Sequence, residues 1–286
     1  MWIILSILCA ICDAFRYFFQ KISLKETDEY IVSFSVGVIT TILLIPLLFF
    51  MKFPGLSLKW VIPLIISASL NVVTILMFYK ALKYSDVGLI APFMSFTPVM
   101  MLLTAPFMIH EIPSILGIIG VVLVVFGAYA ININYSKKGF LEPFKEIIKN
   151  KGSRYALLSS LIVGIAGSFD KIGIKETSPF FWSFFLMFFI AISYTIILLI
   201  RKQKILSEIK REYKPLFLIS FFIAAGIIMQ MIAFNMTQIT YVVAIKRSSI
   251  LFTVLLGYFF LNEKNLKQRL IAAIIMVAGV AMIAFA

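Results

Sequence analysis

The chain alternates between long apolar runs and short polar breaks. Ten runs approach or exceed the roughly 20 residues that a helix needs to cross a bilayer core. They lie at about 2–21, 30–51, 59–82, 86–109, 113–133, 153–173, 179–200, 215–237, 240–261 and 266–285. Pro54-Gly55 marks a loop, and Pro113 and Pro179 sit near helix starts. Pro92, Pro98 and Pro106 fall inside the fourth run. An interior proline removes a backbone hydrogen bond and kinks or unwinds its helix, which membranes tolerate beside a cavity.

The runs also repeat. "FQKISLKET" at 19–27 matches "FDKIGIKET" at 169–177 in six of nine positions, at an offset of 150. Glu111 aligns with Glu263 and Gly127 with Gly279, at an offset of 152. Five helices per copy is an odd number, so the second copy enters the membrane upside down. The predicted fold is an all-α integral membrane protein of ten transmembrane helices in two inverted repeats, 1–133 and 153–286, joined by a basic polar connector, 134–152. Many secondary transporters have this architecture and bind near the midplane, where the repeats meet.

Composition agrees with lipid as the solvent. The chain is 62% hydrophobic and 14% charged, against about 45–50% and 25% for soluble domains. Its 29 phenylalanines suit a lipid-facing surface. The net charge of +13 does not imply nucleic acid, because the cations lie mostly in loops, where they set topology and touch lipid headgroups. Loops after odd-numbered runs hold 18 Lys and Arg, and loops after even-numbered runs hold 3. The positive-inside rule then puts the odd loops in the cytoplasm and both termini outside. The N-terminal "MWIILSILCAICDAF" lacks a basic leader and a cleavage site, so it reads as a retained first span. Cys9 and Cys12 have no second pair and read as small apolar residues. His110 is the only histidine, which leaves little material for metal sites or catalytic triads. H-E-x-x-H, G-x-S-x-G and Walker A motifs do not occur. An enzyme, a metal, a cofactor and direct ATP drive are therefore not expected.

Five cations lie within or at the edge of the runs: Arg16, Lys80, Lys171, Lys246 and Arg247. The comparable acids are Asp13 and Asp170. Each such group costs about 2.5–3.5 kcal/mol at a bilayer centre on insertion scales, so it needs a partner or a watery cavity. Arg16 follows Asp13 by one helical turn, and Gln20 continues that face. Either the pair neutralises itself, or Asp13 exchanges protons as a coupling carboxylate. Asp170 and Lys171, near a run's end, can snorkel. The third run carries Ser67, Asn71 and Thr74 as a stripe, then Tyr79 and Lys80; the eighth carries Gly226, Gln230 and Asn235. Singly, polar residues act as helix–helix glue; together they point to an aqueous cavity. Lys246 and Arg247 lie roughly 10 Å into their run at 1.5 Å per residue. Consecutive residues point about 100° apart, so snorkelling serves both poorly. The other reading is an anion-binding surface, with Arg as a planar fork, Lys as a point charge and the hydroxyls of Ser248 and Ser249 beside them. The candidate substrate-binding set is Lys246, Arg247, Lys80, Tyr79, Asn71, Gln230, Asn235 and Ser249. Asp13 and Arg16 are candidates for ion coupling.

Three stretches carry a resemblance. "ALKYSDVGLIAPFMSFTPVMMLLTAPFMIHE" at 81–111 and "VVAIKRSSILFTVLLGYFFLNE" at 242–263 each close on a glutamate, and "GIIGVVLVVFG" with "AAIIMVAGVAMI" look like the helices that follow. With the duplicated layout, the chain resembles the EamA-like transporters of the drug/metabolite transporter superfamily. The Lys246-Arg247 pair also resembles that of the triose-phosphate translocators, where such a pair contacts substrate phosphate. The resemblance implies a transporter with both termini cytoplasmic, opposite to the loop charges; the charge rule is followed here. The expected function is secondary transport of a small anionic metabolite across the cell membrane. The alternative is export of amino acids or neutral amphiphiles, with Lys246 and Arg247 paired to Asp13 as scaffold. An intramembrane enzyme or a receptor is remoter. Expected partners are the solute and membrane lipids, with a homo-oligomer left open.

Overall fold

The computed structural model describes residues 1–24, 27–84, 93–133, 150–201, 206–252 and 266–286. Among these, all regular structure is helical: α1 (Trp2–Ser23), α2 (Glu29–Leu44), α3 (Leu58–Tyr84), α4 (Thr97–Ile109), α5 (Ile115–Ile133), α6 (Lys151–Glu176), α7 (Pro179–Arg201), α8 (Leu206–Arg211), α9 (Tyr213–Met236), α10 (Ile239–Lys246) and α11 (Leu266–Ala284). Six are long and apolar enough to cross a membrane: α1, α2 with the turn after it, α3, α6, α7 and α9. The other four expected spans are helical over shorter described stretches. Most of the expected connector, 134–149, lies outside the described residues.

Local chemistry sets several boundaries. Asp28 caps α2 by accepting from the Tyr30 N–H at 2.9 Å, and Asn150 caps α6 by accepting from Gly152 N–H at 2.8 Å. Such caps satisfy amides that a helix start leaves unpaired. The second run does not form one helix to 51. It ends at Leu44 and continues as a 3-10 turn, Ile45–Phe49, with Pro46 at its start.

Contacts reveal how the halves meet. α3 packs on α6 and α1 on α9; α2 packs on α7, α5 on α11 and α4 on α10; α4 meets α6 and α1 meets α10. Exchanging each helix for its repeat mate (α1 with α6, α2 with α7, α3 with α9, α4 with α10, α5 with α11) returns the same set of pairs. Direction is inverted as well. The end of α1 and the start of α2 cluster with the start of α9 through Phe19, Leu24, Val32, Leu216 and Ile219, and Arg201, ending α7, stacks 3.8 Å over Tyr30. At the opposite end of the bundle, Trp60 at the start of α3 meets Phe181 at the start of α7 with ring centroids 5.1 Å apart. α1 and its mate α6 thus run in opposite senses.

α5 and α11 cross closely at two glycines. A Cβ on Gly120 would lie 2.8 Å from the Gly279 carbonyl oxygen, and one on Gly279 would lie 2.7 Å from that of Gly120. Small residues at membrane helix crossings allow this approach. The outer surface exposes Ile4, Leu103, Phe107, Ile119, Leu199 and Phe221, as suits a molecule whose surroundings are acyl chains.

Two of the expected spans are interrupted. The fourth turns at Ser95-Phe96, between helical Phe93-Met94 and α4, and the ninth turns at Arg247-Ser248, after α10. The backbone tightens to three-residue bonds at both, with Phe96 N–H to Phe93 O at 3.1 Å and Ser248 N–H to Ile245 O at 2.9 Å. The positions correspond at the 152-residue offset of the repeat. In the first half, Pro98 sits in the opening turn of α4, where its missing N–H costs nothing.

Candidate intramembrane site

A cavity of about 230 Å³ lies between the halves, lined by residues of α1, α2, α3, α4, α6, α7, α9 and α10 and by Met94 and Arg247. Its charged cluster starts at Asp13 on α1. Arg16 Nη2 lies 3.0 Å from Asp13 Oδ1, one turn along the same helix. Lys246 Nζ, from the other half, lies 3.2 Å from Asp13 Oδ2. Lys246 also donates to Gln230 Oε1 at 2.6 Å. Arg247 Nη2 donates to the Thr97 hydroxyl at 2.8 Å, so the two helix interruptions bond to each other. The Nε atoms of Arg16 and Arg247 are buried and have no hydrogen-bond partner among the described residues. Lys246 and Arg247 close the C-terminal end of α10, where the helix dipole favours cations.

A second polar group shares the cavity. Asp170 of α6 accepts at Oδ1 from the Ser67 hydroxyl at 2.5 Å and from Trp182 Nε1 at 2.9 Å. Asn71 Nδ2 donates to Ser67 Oγ at 3.2 Å. Gly173 makes room for this arrangement, because a Cβ there would overlap the Trp182 ring. On α1, Gln20 takes the place that Asp170 holds in the repeat, and it donates to Tyr79 Oη at 3.1 Å.

Lys171 does not snorkel, and neither does Asp170; each is 5% exposed. Lys171 Nζ pairs with Glu111 Oε1 at 3.1 Å and donates to the carbonyls of Phe234 and Thr237. Glu111 Oε2 accepts from Ile239 N–H at 2.9 Å, at the positive end of α10. This knot joins α4, α6, α9 and α10 at one end of the bundle. Glu111 is aimed there by His110, whose left-handed φ of 56° ends α4.

Of the candidate residues, Asp13, Arg16, Asn71, Tyr79, Gln230, Lys246 and Arg247 line one cavity. Lys80, Asn235 and Ser249 do not line it. Lys80 is half-buried one residue beyond Tyr79, Asn235 is exposed near the end of α9, and Ser249 is buried past the interruption of the ninth span. A helix sends neighbouring residues to different sides, so adjacency to a lining residue does not place a side chain in the cavity. Sequence reasoning missed Thr97, the Lys171–Glu111 pair and the Asp170–Trp182 bond. Glu111 was visible as a repeat marker and as the closing glutamate of the stretch at 81–111; its partner is 60 residues away and left no local signal.

A polar cavity between two-fold-related halves of a helical membrane protein is an arrangement shared by many transporters. The EamA-like transporter family model matches residues 1–133 and again 150–285, and the chain belongs to that family. It is a multi-pass membrane transporter of the drug/metabolite type. No curated protein matches the sequence. A solved crystal structure is similar in fold, with a TM-score of 0.74 at 11% identity over 96% of this chain and 94% of its own.

Proposed function

We propose that this protein is a secondary carrier that moves a small anionic metabolite by alternating access, through ten spans arranged as inverted repeats. One observation carries the anion: Arg16, Lys246 and Arg247 line the cavity, and among the described residues Asp13 is the carboxylate paired with them. That cluster has two positive charges in excess. Among the described residues Arg247 has a hydroxyl partner and no carboxylate, so an entering phosphate or carboxylate gains a charge-assisted, geometrically directed partner. The cavity volume favours a small solute, and interrupted helices facing a central site are a recurrent transporter device.

The test is anion exchange in proteoliposomes, using inorganic phosphate and a panel of phosphorylated and carboxylated metabolites. Arg247→Gln is expected to weaken anion binding about 10- to 150-fold, from the 1.5–3 kcal/mol of a charged hydrogen bond. Arg247→Lys should restore only part, since a point charge lacks the bidentate fork. Lys246→Gln leaves Asp13 paired with Arg16 and should fold normally while losing affinity. A second reading draws on the Lys246–Asp13 pair, which suits a scaffold around a neutral or zwitterionic solute. It would be favoured if neutral amino acids exchange and both Gln variants transport as the parent does.

A further inference from the structure

We infer that Asp170 is the proton-binding site of this carrier, a role that rests on the transport reading above. Asp170 is a buried carboxyl on the wall of the central cavity, and among the described residues its bonding partners are neutral. Ser67 and Trp182 both donate to Oδ1. Oδ2 takes neither of these two bonds, and Asp170 is part of the cavity lining. The carboxyl is thus anchored through one oxygen while the other is engaged by neither donor. In the acid form Oδ1 is the carbonyl and Oδ2 carries the hydrogen. In the ionised form the same two donors hold Oδ1 while Oδ2 meets water. The proton can come and go without any side chain being rebuilt.

The surrounding charges are engaged elsewhere. Its neighbour on α6, Lys171, turns to Glu111 from the α4–α5 junction, and Lys246 from α10 turns to Asp13. α3 offers Ser67 and α7 offers Trp182; α9 brings no charged side chain into ion-pair distance of Asp170 among the described residues. Asp13 suits the role less well, because protonating it would strand two cations at 3.0 and 3.2 Å. A metal ion fits poorly too: hard cations need six or more oxygen ligands, whereas Oδ1 of Asp170 is taken up by the donor-only indole N–H of Trp182. No cluster of three metal-ligating side chains occurs among the described residues.

The placement also gives a coupling rule. An anion held by Arg16, Lys246 and Arg247 repels a second negative charge in the same cavity, so anion and proton bind together. By linkage, each strengthens the other's binding. A monoanion carried with one proton crosses as a neutral pair and escapes the cost of about 2.3 kcal/mol per 100 mV that a bare charge meets.

Trp182 supplies a readout that needs no substrate. With Trp2→Phe and Trp60→Phe in the background, Trp182 is the sole indole, as the chain has three tryptophans. Its fluorescence in detergent should show one pH transition, and Asp170→Asn should abolish it. A signal that does not move with pH, or moves equally in Asp170→Asn, overturns the proposal. A hydrophobic carbodiimide provides an independent check on the parent chain, should Asp170→Asn fold poorly. It adds across the O–H of a carboxylic acid with no leaving group, and rearranges to a stable acylurea. The peptide containing Asp170 should gain one carbodiimide at low pH and progressively less as pH rises; no adduct at low pH would count against the site. In proteoliposomes, one-proton coupling predicts about tenfold anion accumulation per unit of pH gradient, lost in Asp170→Asn. Exchange with a silent Trp182 would sink the proton site and leave the carrier. A titrating Trp182 in a protein that exchanges no anion would do the reverse.

Discussion

Asp13 holds one cation from its own helix and another from the opposite half, so its charge ties the repeats together. Asp13→Asn removes one anion and leaves Arg16 and Lys246, both partly buried, side by side without a counter-charge. Breaking a buried ion pair in this way costs about 3–5 kcal/mol. Thermal unfolding in detergent should therefore show a clear loss for Asp13→Asn and little for Lys246→Gln, which leaves the Asp13–Arg16 pair in place. Equal stability of the two variants would show that the carboxylate is not holding the cluster. The comparison also separates a structural Asp13 from a coupling one, because only a coupling residue would change pH-gradient dependence without changing stability.

At the scale of elements, two features depend on close backbone approach. The interruptions at Ser95-Phe96 and Arg247-Ser248 bring the chain ends of α4 and α10 together, and Arg247 spans them to reach Thr97. Elsewhere, α5 and α11 cross at Gly120 and Gly279, where a methyl would meet backbone atoms of the facing helix as well as the side chains of Val124 or Ile283. Gly279→Ala should push the helices apart and lower stability by about 1–3 kcal/mol, the usual range for overpacking. Melting temperature in detergent measures it. Gly55→Ala is the matched control, since nothing lies within 4 Å of a Cβ there.

For the whole molecule, charge divides the two ends of the bundle. Lys151, Arg154, Arg201, Lys210, Arg211 and Lys214 all sit at the end where α1 finishes and α9 begins, and are exposed there. The opposite end carries Lys52, Lys59 and Lys175. The positive-inside rule predicts that the basic end faces the cytoplasm. In intact cells, with Cys9 and Cys12 replaced by serine, Lys210→Cys should resist an impermeant thiol reagent and Lys52→Cys should react. Permeabilisation should expose Lys210→Cys. The opposite pattern would place both termini in the cytoplasm, as the family resemblance implies.

The apolar runs determined that the chain lives in lipid and is helical, because each run must satisfy its own backbone where no water can. "FQKISLKET" and "FDKIGIKET" pointed to the duplication, which the family match over two halves of the chain agrees with, and the five spans expected per copy led to the expectation of an inverted second copy. Lys246 and Arg247 stood out because charge is costly in a membrane whatever the fold. Tertiary structure decided the rest. Pro98 warned of a break in the fourth span, but nothing in "IKRSSI" announced the matching one, which is held by contacts across the two-fold relation. Asp170 and Lys171 look alike in sequence, adjacent and near a span's end, yet one meets only neutral donors and the other an ion pair. That difference depends on what Ser67, Trp182 and Glu111 bring from distant parts of the chain, and no local pattern encodes it.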